Sequence, residues 1–434
     1  MSTNYDLLSW CWRHKQLGTE LTTTSGKRVD VHDAGLYCRE DRPTFFNAKV
    51  KIDGMLFVGN VQILDHASEW YMKGYDHNPA YQNVILIICK VVDSETMFGK
   101  TVIPTIQAVV DEHITKNVNT LMQPVTGQAS CKARIVDYTT TLIRHAWLAA
   151  MQTEFMENRS ELVRSIYKET YDWNRTFFET LMIGYGFGVN DSQMAKLAKS
   201  IPLSALDHHR DDLFQLEAFI MGQAGLLDLD NIPEKYQEKA LIEGYFAKLR
   251  NEYLYLAHKY SMEPISVKWN RFSNGGYGVY PHVILSMFAN FYYSNVPFTK
   301  VLDIESAREA DELLRTHSTP YWQTHNHFGL MSENAKKGLS QNRRCMLIAS
   351  VLVPFLFAYG RANERDIYCD KAFDLMEQTK DFSTPESESF VKYGGLKPNN
   401  AGETIALTHL QKKYCDKQNC LKCRFGFCYV KNHR

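Results

Sequence analysis

The sequence predicts an α+β protein: an N-terminal α/β domain over residues 1–110, a large all-helical domain over 111–400, and a terminal helix with a cysteine-rich basic tail over 401–434. Three observations predict it. Asp53-Gly54 joins two alternating strands, a strong short-range hairpin signal. Val84-Ile85-Leu86-Ile87-Ile88 is a continuous apolar run, as expected where a sheet is buried on both faces. From Thr139 onward, apolar residues recur at three- and four-residue spacing.

The elements follow in order. Asn4 to Leu17 reads as an amphipathic helix with Leu7, Leu8, Trp10, Cys11 and Trp12 apolar. Leu21–Thr24 and Arg28–Val31 flank a Ser25-Gly26 turn. Phe45–Ile52 alternates, which places Phe46, Ala48, Val50 and Ile52 on one face. Leu56–Leu64 is the returning strand, Ser68–Lys73 a short helix and Asn83–Val92 the central strand. Helices are predicted over 139–157, 160–185, 191–200, 211–222 and 233–261, then over 304–316, 344–359, 365–379 and 401–414. Ser273–Gly278 and Lys380–Ser389 read as loops.

The 434 residues suffice for two or three domains and a large core. The 49 basic and 49 acidic side chains cancel, which argues against a generally basic nucleic-acid binder and leaves room for a local basic face. The N-terminus has no basic and apolar signal-peptide pattern. The apolar run Met346–Tyr359 is too short to span a bilayer, so no membrane partner is expected. A cytoplasmic, reducing location follows as the default, where clustered cysteines read as metal ligands or redox groups.

Several runs carry a resemblance: Phe45-Phe46-Asn47-Ala48, Gly59-Asn60-Val61-Gln62-Ile63 and Asn78-Pro79-Ala80-Tyr81-Gln82-Asn83-Val84-Ile85-Leu86. Leu216-Glu217-Ala218, Gly222 to Leu227, Pro354 to Gly360 and Leu410 to Gly426 continue it. Together they resemble an uncharacterised bacterial family, the domain of unknown function numbered 2851. That family's pattern has Gly-Pro-Asp-Phe entering one strand and Gly-x-Val-Glu-Ile-His on its hairpin partner. The pattern is similar to the PD-(D/E)xK nuclease core, so the resemblance implies a restriction-endonuclease-like first domain. In such a core two carboxylates facing each other across a hairpin hold a divalent ion against a phosphate.

This chain departs from the pattern at the matching positions. Pro43-Thr44 stands for Pro-Asp, and Gln62-Ile63-Leu64 for Glu-Ile-His. Lys73-Gly74-Tyr75 replaces His-x-His, Asn78 replaces an Asp, and Ile87 replaces a His. Thr44, Gln62 and Leu64 supply no anionic oxygen, so the resemblance implies a degenerate, inactive catalytic site. Glu69, Asp41, Asp53 and Asp65 are the acids available to a relocated site. Their simpler reading is a hairpin turn at Asp53 and the start and exposed face of a helix at Asp65 and Glu69. The family's arginine segment corresponds to Asn274–Pro281, with Arg271 nearby.

Cys415, Cys420, Cys423 and Cys428 form C-x4-C-x2-C-x4-C. The first three match the family's tail and the fourth does not. A zinc site, an iron–sulfur cluster and reduced thiols without metal are the readings left open, with Cys11 or Cys38 as a distant fourth ligand. From Lys412 to Arg434 the basic residues are Lys412, Lys413, Lys417, Lys422, Arg424, Lys431 and Arg434, against the single acid Asp416. Of these, Lys412, Lys413, Lys417, Lys422 and Arg424 are the candidate phosphate contacts, and a solvated terminus is the alternative.

Other patterns read as structural. Asp207-His208-His209-Arg210-Asp211-Asp212 reads as helix capping, because adjacent histidines on a helix point about 100° apart. His325-Asn326-His327 sits in an aromatic packing segment, and Gly184–Gly188 lacks the strand and the Lys-Ser/Thr of a phosphate loop. The functional expectation is a non-catalytic nuclease-like protein acting in nucleic-acid association or as a scaffold. The alternatives are a metal-dependent nuclease with relocated ligands, or an interaction protein with a protein partner and no link to nucleic acid.

Overall fold

Turn chemistry and alternation build the sheet, and a bulge sets its geometry. In the computed structural model, the described residues are 3–18, 20–38, 42–122, 132, 135–272, 280–294, 296–333 and 336–432. The chain divides into two compact units: Met1–Thr141 with Tyr393–Gly395 and Lys412–Arg434, and Leu142–Lys392 with Leu396–Gln411.

The first unit opens with α1 (Thr3–Arg13), followed by β1 (Leu21–Thr22), β2 (Arg28–Asp33), β3 (Leu36–Tyr37), β4 (Phe45–Ile52) and β5 (Met55–His66). Next come α2 (Glu69–Met72), β6 (Val84–Val91), the short pair β7 (Met97–Phe98) and β8 (Thr101–Val102), and β9 (Thr105–Gln107). Helices α3 (Glu112–Met122) and α4 (Ile135–Tyr138) follow. The sheet order is β1-β2-β4-β5-β6-β9, with β3 on β4. Pairing is antiparallel through β5 and parallel from β5 to β6 to β9. The parallel step needs a crossover, and α2 lies in it. β6 is not the middle of the sheet but an inner strand beside the edge strand β9; as predicted, it is buried on both faces over Leu86–Cys89. Asp53 and Gly54 turn the β4–β5 hairpin with φ of 51° and 83°.

The alternation of β4 differs from the expectation. Ala48, Val50 and Ile52 are buried together, but Phe45 is buried and Phe46 is 52% exposed. The register shifts between Phe45, which faces Val61, and Ala48, which faces Gly59. One extra residue in β4 makes a bulge, which reverses the face of everything before it. Asn47 takes the strained step at φ 57°, and its N–H donates to Asn60 Oδ1 at 3.2 Å. Asn tolerates this left-handed conformation better than most residues.

The second unit is helical: α5 (Thr141–Thr170), α6 (Trp173–Gly184), α7 (Asp191–Ser200), α8 (Leu203–Asp207), α9 (Leu213–Gln223), α10 (Glu234–Glu243), α11 (Tyr245–Tyr260) and α12 (Pro281–Tyr293), with further helices to Leu410. The predicted break near residue 158 is absent. The helix runs on to Thr170, where Tyr171 turns left-handed at φ 52° and Asp172 caps α6 by accepting from Asn174 N–H. The predicted helix over 233–261 is two helices, separated at Gly244, whose φ of 71° suits glycine. The expected loop over 380–389 ends at a helix from Pro385, because Thr384 and Ser387 exchange backbone-to-hydroxyl hydrogen bonds at its start.

The apolar run Met346–Tyr359 lies inside a longer helical stretch, Gln341–Ala362. By length and composition alone that stretch could cross a membrane. Its most apolar window is 67% buried within the fold, as in a core helix.

Candidate nucleic-acid interface and the substituted hairpin site

The bulge brings the substituted positions together. Thr44 directly precedes β4 and Gln62 lies in β5, and both are buried. Thr44 N–H donates to Gln62 Oε1 at 3.0 Å, and Ile63 N–H donates to Thr44 Oγ1 at 3.2 Å. Gln62 Nε2 donates to the Ile63 carbonyl at 3.1 Å. Leu64 is fully buried in an apolar cluster with Trp70, Tyr81, Ile87 and Cys89. Tyr75, from the substituted Lys73-Gly74-Tyr75 run, stacks on Tyr81 with centroids 4.0 Å apart. The residues do not fit a divalent ion: three neutral side chains offer no anionic oxygen, and the amide oxygen of Gln62 already accepts from Thr44.

The other acids are engaged elsewhere. Glu69 accepts from His66 N–H at 3.3 Å and from Lys73 Nζ at 2.5 Å. Asp53 is a turn residue and Asp65 is half-buried in β5. Asp41 lies outside the described residues. Asp93 accepts from the Ser68 hydroxyl and N–H at 2.7 and 2.8 Å, and these bonds hold its carboxyl below the ordinary range. Among the described residues, no group of three or more His, Cys, Asp or Glu side chains is arranged to hold a metal ion.

The tail packs into the first unit. Its final helix, Arg424–Asn432, buries Phe425, Cys428, Tyr429 and Val430. The Asn117 amide donates to the Val430 carbonyl at 3.1 Å, and the Asn432 amide donates to that of Tyr138 at 3.2 Å. A Cβ on Gly426 would sit 2.1 Å from the Cys420 carbonyl oxygen, so only glycine lets the helix pass there. Cys415 is half-buried, whereas Cys420, Cys423 and Cys428 are buried. Burial, then the neighbouring Cys423, pushes the Cys415 thiol up to about 12. Burial also raises Cys420 and Cys428. The loop is closed by its own backbone bonds, Gln418 N–H to Cys415 O at 3.1 Å and Lys422 N–H to Asn419 O at 3.0 Å. Cys11 is fully buried in α1 and Cys38 is half-buried.

Lys412, Lys417, Lys422, Arg424 and Lys431 are exposed, and Lys413 is half-buried. Arg424 and Lys431 lie 5.2 and 5.9 Å from the centroid of the Phe427 ring. That ring joins a cluster with α1: Trp10 at 5.7 Å and His14 at 4.7 Å. Burial, Arg13 and Arg424 lower His14 to about 4.

In the second unit, Asp212 caps α9 by accepting from Phe214 and Gln215 N–H, and His209 bonds Gln215 and Tyr260. His325 stacks on Tyr321 at 4.1 Å, which stacks on Tyr245 at 4.1 Å. Of the arginine segment, 274–279 lie outside the described residues, and Arg271 sits 4.5 Å from the Tyr280 ring centroid. Sequence reasoning missed Glu217 as a buried acid. Tyr245 Oη and Trp322 Nε1 donate to its carboxylate at 2.8 and 2.5 Å, and burial raises its pKa. Its only sequence signal was a charge within the apolar run Leu213–Met221.

A family model described as Protein of unknown function (DUF2851) matches residues 5–383. The matched span ends before the cysteine tail. No curated protein and no solved structure matches the chain.

Proposed function

The chain belongs to the family described as Protein of unknown function (DUF2851), and from that premise we propose that it is non-catalytic at its hairpin and acts by binding nucleic acid. The reading includes a nuclease-like ancestry for the first domain and a cytoplasmic location. The observation that carries it is the neutral Thr44–Gln62 pair, which fills the place where a nuclease hairpin needs two carboxylates. Further support comes from the tail. It folds into the same unit as the sheet and brings Lys417, Lys422, Arg424 and Lys431 to the surface, the last two beside the Phe427 ring. Cations tracking a backbone, with rings for bases, suit single strands.

The test is fluorescence anisotropy with labelled single-stranded and duplex DNA and RNA across a salt series. Single-strand binding should weaken with salt, and Lys422→Glu with Arg424→Glu should flatten the log–log slope by about 1 per lost phosphate contact. Binding that ignores both salt and the tail variants would sink the nucleic-acid half. Mg²⁺- or Mn²⁺-dependent cleavage that vanishes in Gln62→Ala would sink the non-catalytic half.

A protein-partner reading is favoured by one observation. At the β4–β5 hairpin tip, Met55, Leu56, Phe57 and Val58 are all at least 37% exposed. An apolar tip of this kind marks a contact surface. Val58→Lys should leave nucleic-acid binding intact and abolish any partner binding seated there, which a pull-down with the full chain would read.

A further inference from the structure

Within the second unit a cavity of about 350 Å³ lies between α6, α8 and α12. That volume falls in the range of small-ligand sites, about 300–1,000 Å³. Its floor is aromatic: Phe177 and Phe178 from α6 and Phe288 and Phe291 from α12 are all buried. Its mouth is polar. Asp172, Asn174, Ser204 and Asp207 are exposed there, and Arg210 is half-buried. Residue 295 lies outside the described residues; it is an asparagine and adds no charge.

The charges at the mouth decide the chemistry. Arg210 bonds Asp207 Oδ1 at 3.0 Å and lies 4.3 Å from the Tyr292 ring centroid, and the Tyr292 hydroxyl donates to the same oxygen at 2.5 Å. Both bonds end on Oδ1, which leaves the second oxygen of this exposed carboxylate to accept from a ligand. Asp172 caps α6 with Oδ1, which accepts from Asn174 N–H at 2.8 Å, and its second oxygen is left in the same way. Arg175, 5.7 Å from the Phe178 ring centroid, is matched by Glu179 at 2.5 Å. Among the lining residues, Asp172 and Asp207 against Arg210 give a net charge of −1. An anion is repelled at such an entrance, whereas a cation gains charge-assisted bonds there and ring faces behind them. Arg210, held between the Tyr292 ring and Asp207, is a cation already bound by that combination.

We propose that this cavity binds an aromatic amine, with its ring among Phe177, Phe178, Phe288 and Phe291 and its ammonium group at Asp172 and the second oxygen of Asp207. Rings packed against rings gain stabilisation beyond the area they bury, which favours an aromatic body over an aliphatic one. The inference goes beyond the nucleic-acid reading and stands independently of it, because every lining residue belongs to the second unit.

The test is isothermal titration of the full chain with three molecules of one shape: tryptamine, its neutral analogue 3-ethylindole and its anionic analogue indole-3-propionate. Tryptamine should bind about tenfold or more tighter than either analogue, as expected for a charge-assisted contact. Asp172→Asn keeps a capping oxygen and removes the charge. It should weaken tryptamine by about three- to tenfold and leave 3-ethylindole unchanged. Ser204→Trp and Val296→Trp each put bulk into the cavity from its lining and should abolish tryptamine binding. Thermal melts show which variants are folded, and either filling variant suffices. Indole-3-propionate or 3-ethylindole binding as tightly as tryptamine overturns the ammonium assignment. Tryptamine binding untouched by Asp172→Asn and by a folded filling variant overturns the placement. No binding of any of the three at millimolar concentration overturns the cavity as an amine site.

Discussion

Thr44 and Gln62 hold each other across the hairpin: the Thr44 N–H donates to the Gln62 amide oxygen, and the Thr44 hydroxyl accepts from Ile63 N–H next to Gln62. The Gln62 amide then donates to the Ile63 carbonyl. Each polar atom that Gln62 brings into the sheet is thereby used.

Gln62→Ala should cost about 1–3 kcal/mol in urea unfolding, because it strands the Thr44 N–H and the Ile63 carbonyl. Gln62→Glu should behave differently with pH. A neutral carboxylic acid can replace the amide donor, whereas a carboxylate would face the Ile63 carbonyl without a proton. Burial raises the folded pKa of the new acid, so its stability is greatest at low pH and falls as pH rises through the folded value. A variant whose stability is flat between pH 4 and 7 would refute this account of the pair.

Glu217 should give the chain a slope of the same sign. Its carboxyl is raised by burial, so the folded state holds a proton that the unfolded state has released. The contribution is full below the ordinary carboxylate range and is lost as pH climbs toward the folded value. His14 works the other way. It titrates at about 4 when folded, against 6.5, so stability rises with pH across that window. The difference between wild type and Glu217→Gln in thermal melts from pH 4 to 7 isolates the glutamate. An unchanged pH profile in the variant would show that folding does not shift this carboxyl.

Gly426→Ala should destabilise the first unit by about 1–3 kcal/mol, the ordinary cost of overpacking. The obstructing atom is a backbone carbonyl oxygen, which cannot swing aside as a side chain can. Chemical denaturation followed by Trp10 and Trp12 fluorescence reads this. A neutral result would mean that the terminal helix docks more loosely than its burial implies.

Elemental analysis tests the tail cysteines directly. Protein purified without oxygen is compared with Cys423→Ser, and metal well below one per chain in both would leave the thiols as reduced cysteines without a ligand role. One zinc per chain that disappears in the variant would establish a Cys415–Cys420–Cys423–Cys428 site and a rearranged tail.

Some of this was legible in the chain. The Asp53-Gly54 turn and the doubly buried β6 follow from local chemistry, because turn residues and an unbroken apolar run need no distant partner to be read. The substituted positions were legible one by one at Thr44, Gln62 and Leu64. Their mutual hydrogen bonding was not, because it depends on the bulge at Phe46–Asn47, and a single extra residue leaves no mark in an alternating pattern. Helix α12 escaped notice because Pro281–Met287 is buried all round, which erases the period that marks a surface helix.

The first unit takes in residues 1–141, 393–395 and 412–434, so the second unit is synthesised between its two main parts. Synthesis is therefore out of step with assembly. At roughly 5–20 residues per second, the sheet and α1 leave the ribosome on the order of tens of seconds before the helix that covers Trp10 and His14. During that interval the face meant for Phe427 stands open, and a nascent chain in that state is a natural client for chaperones.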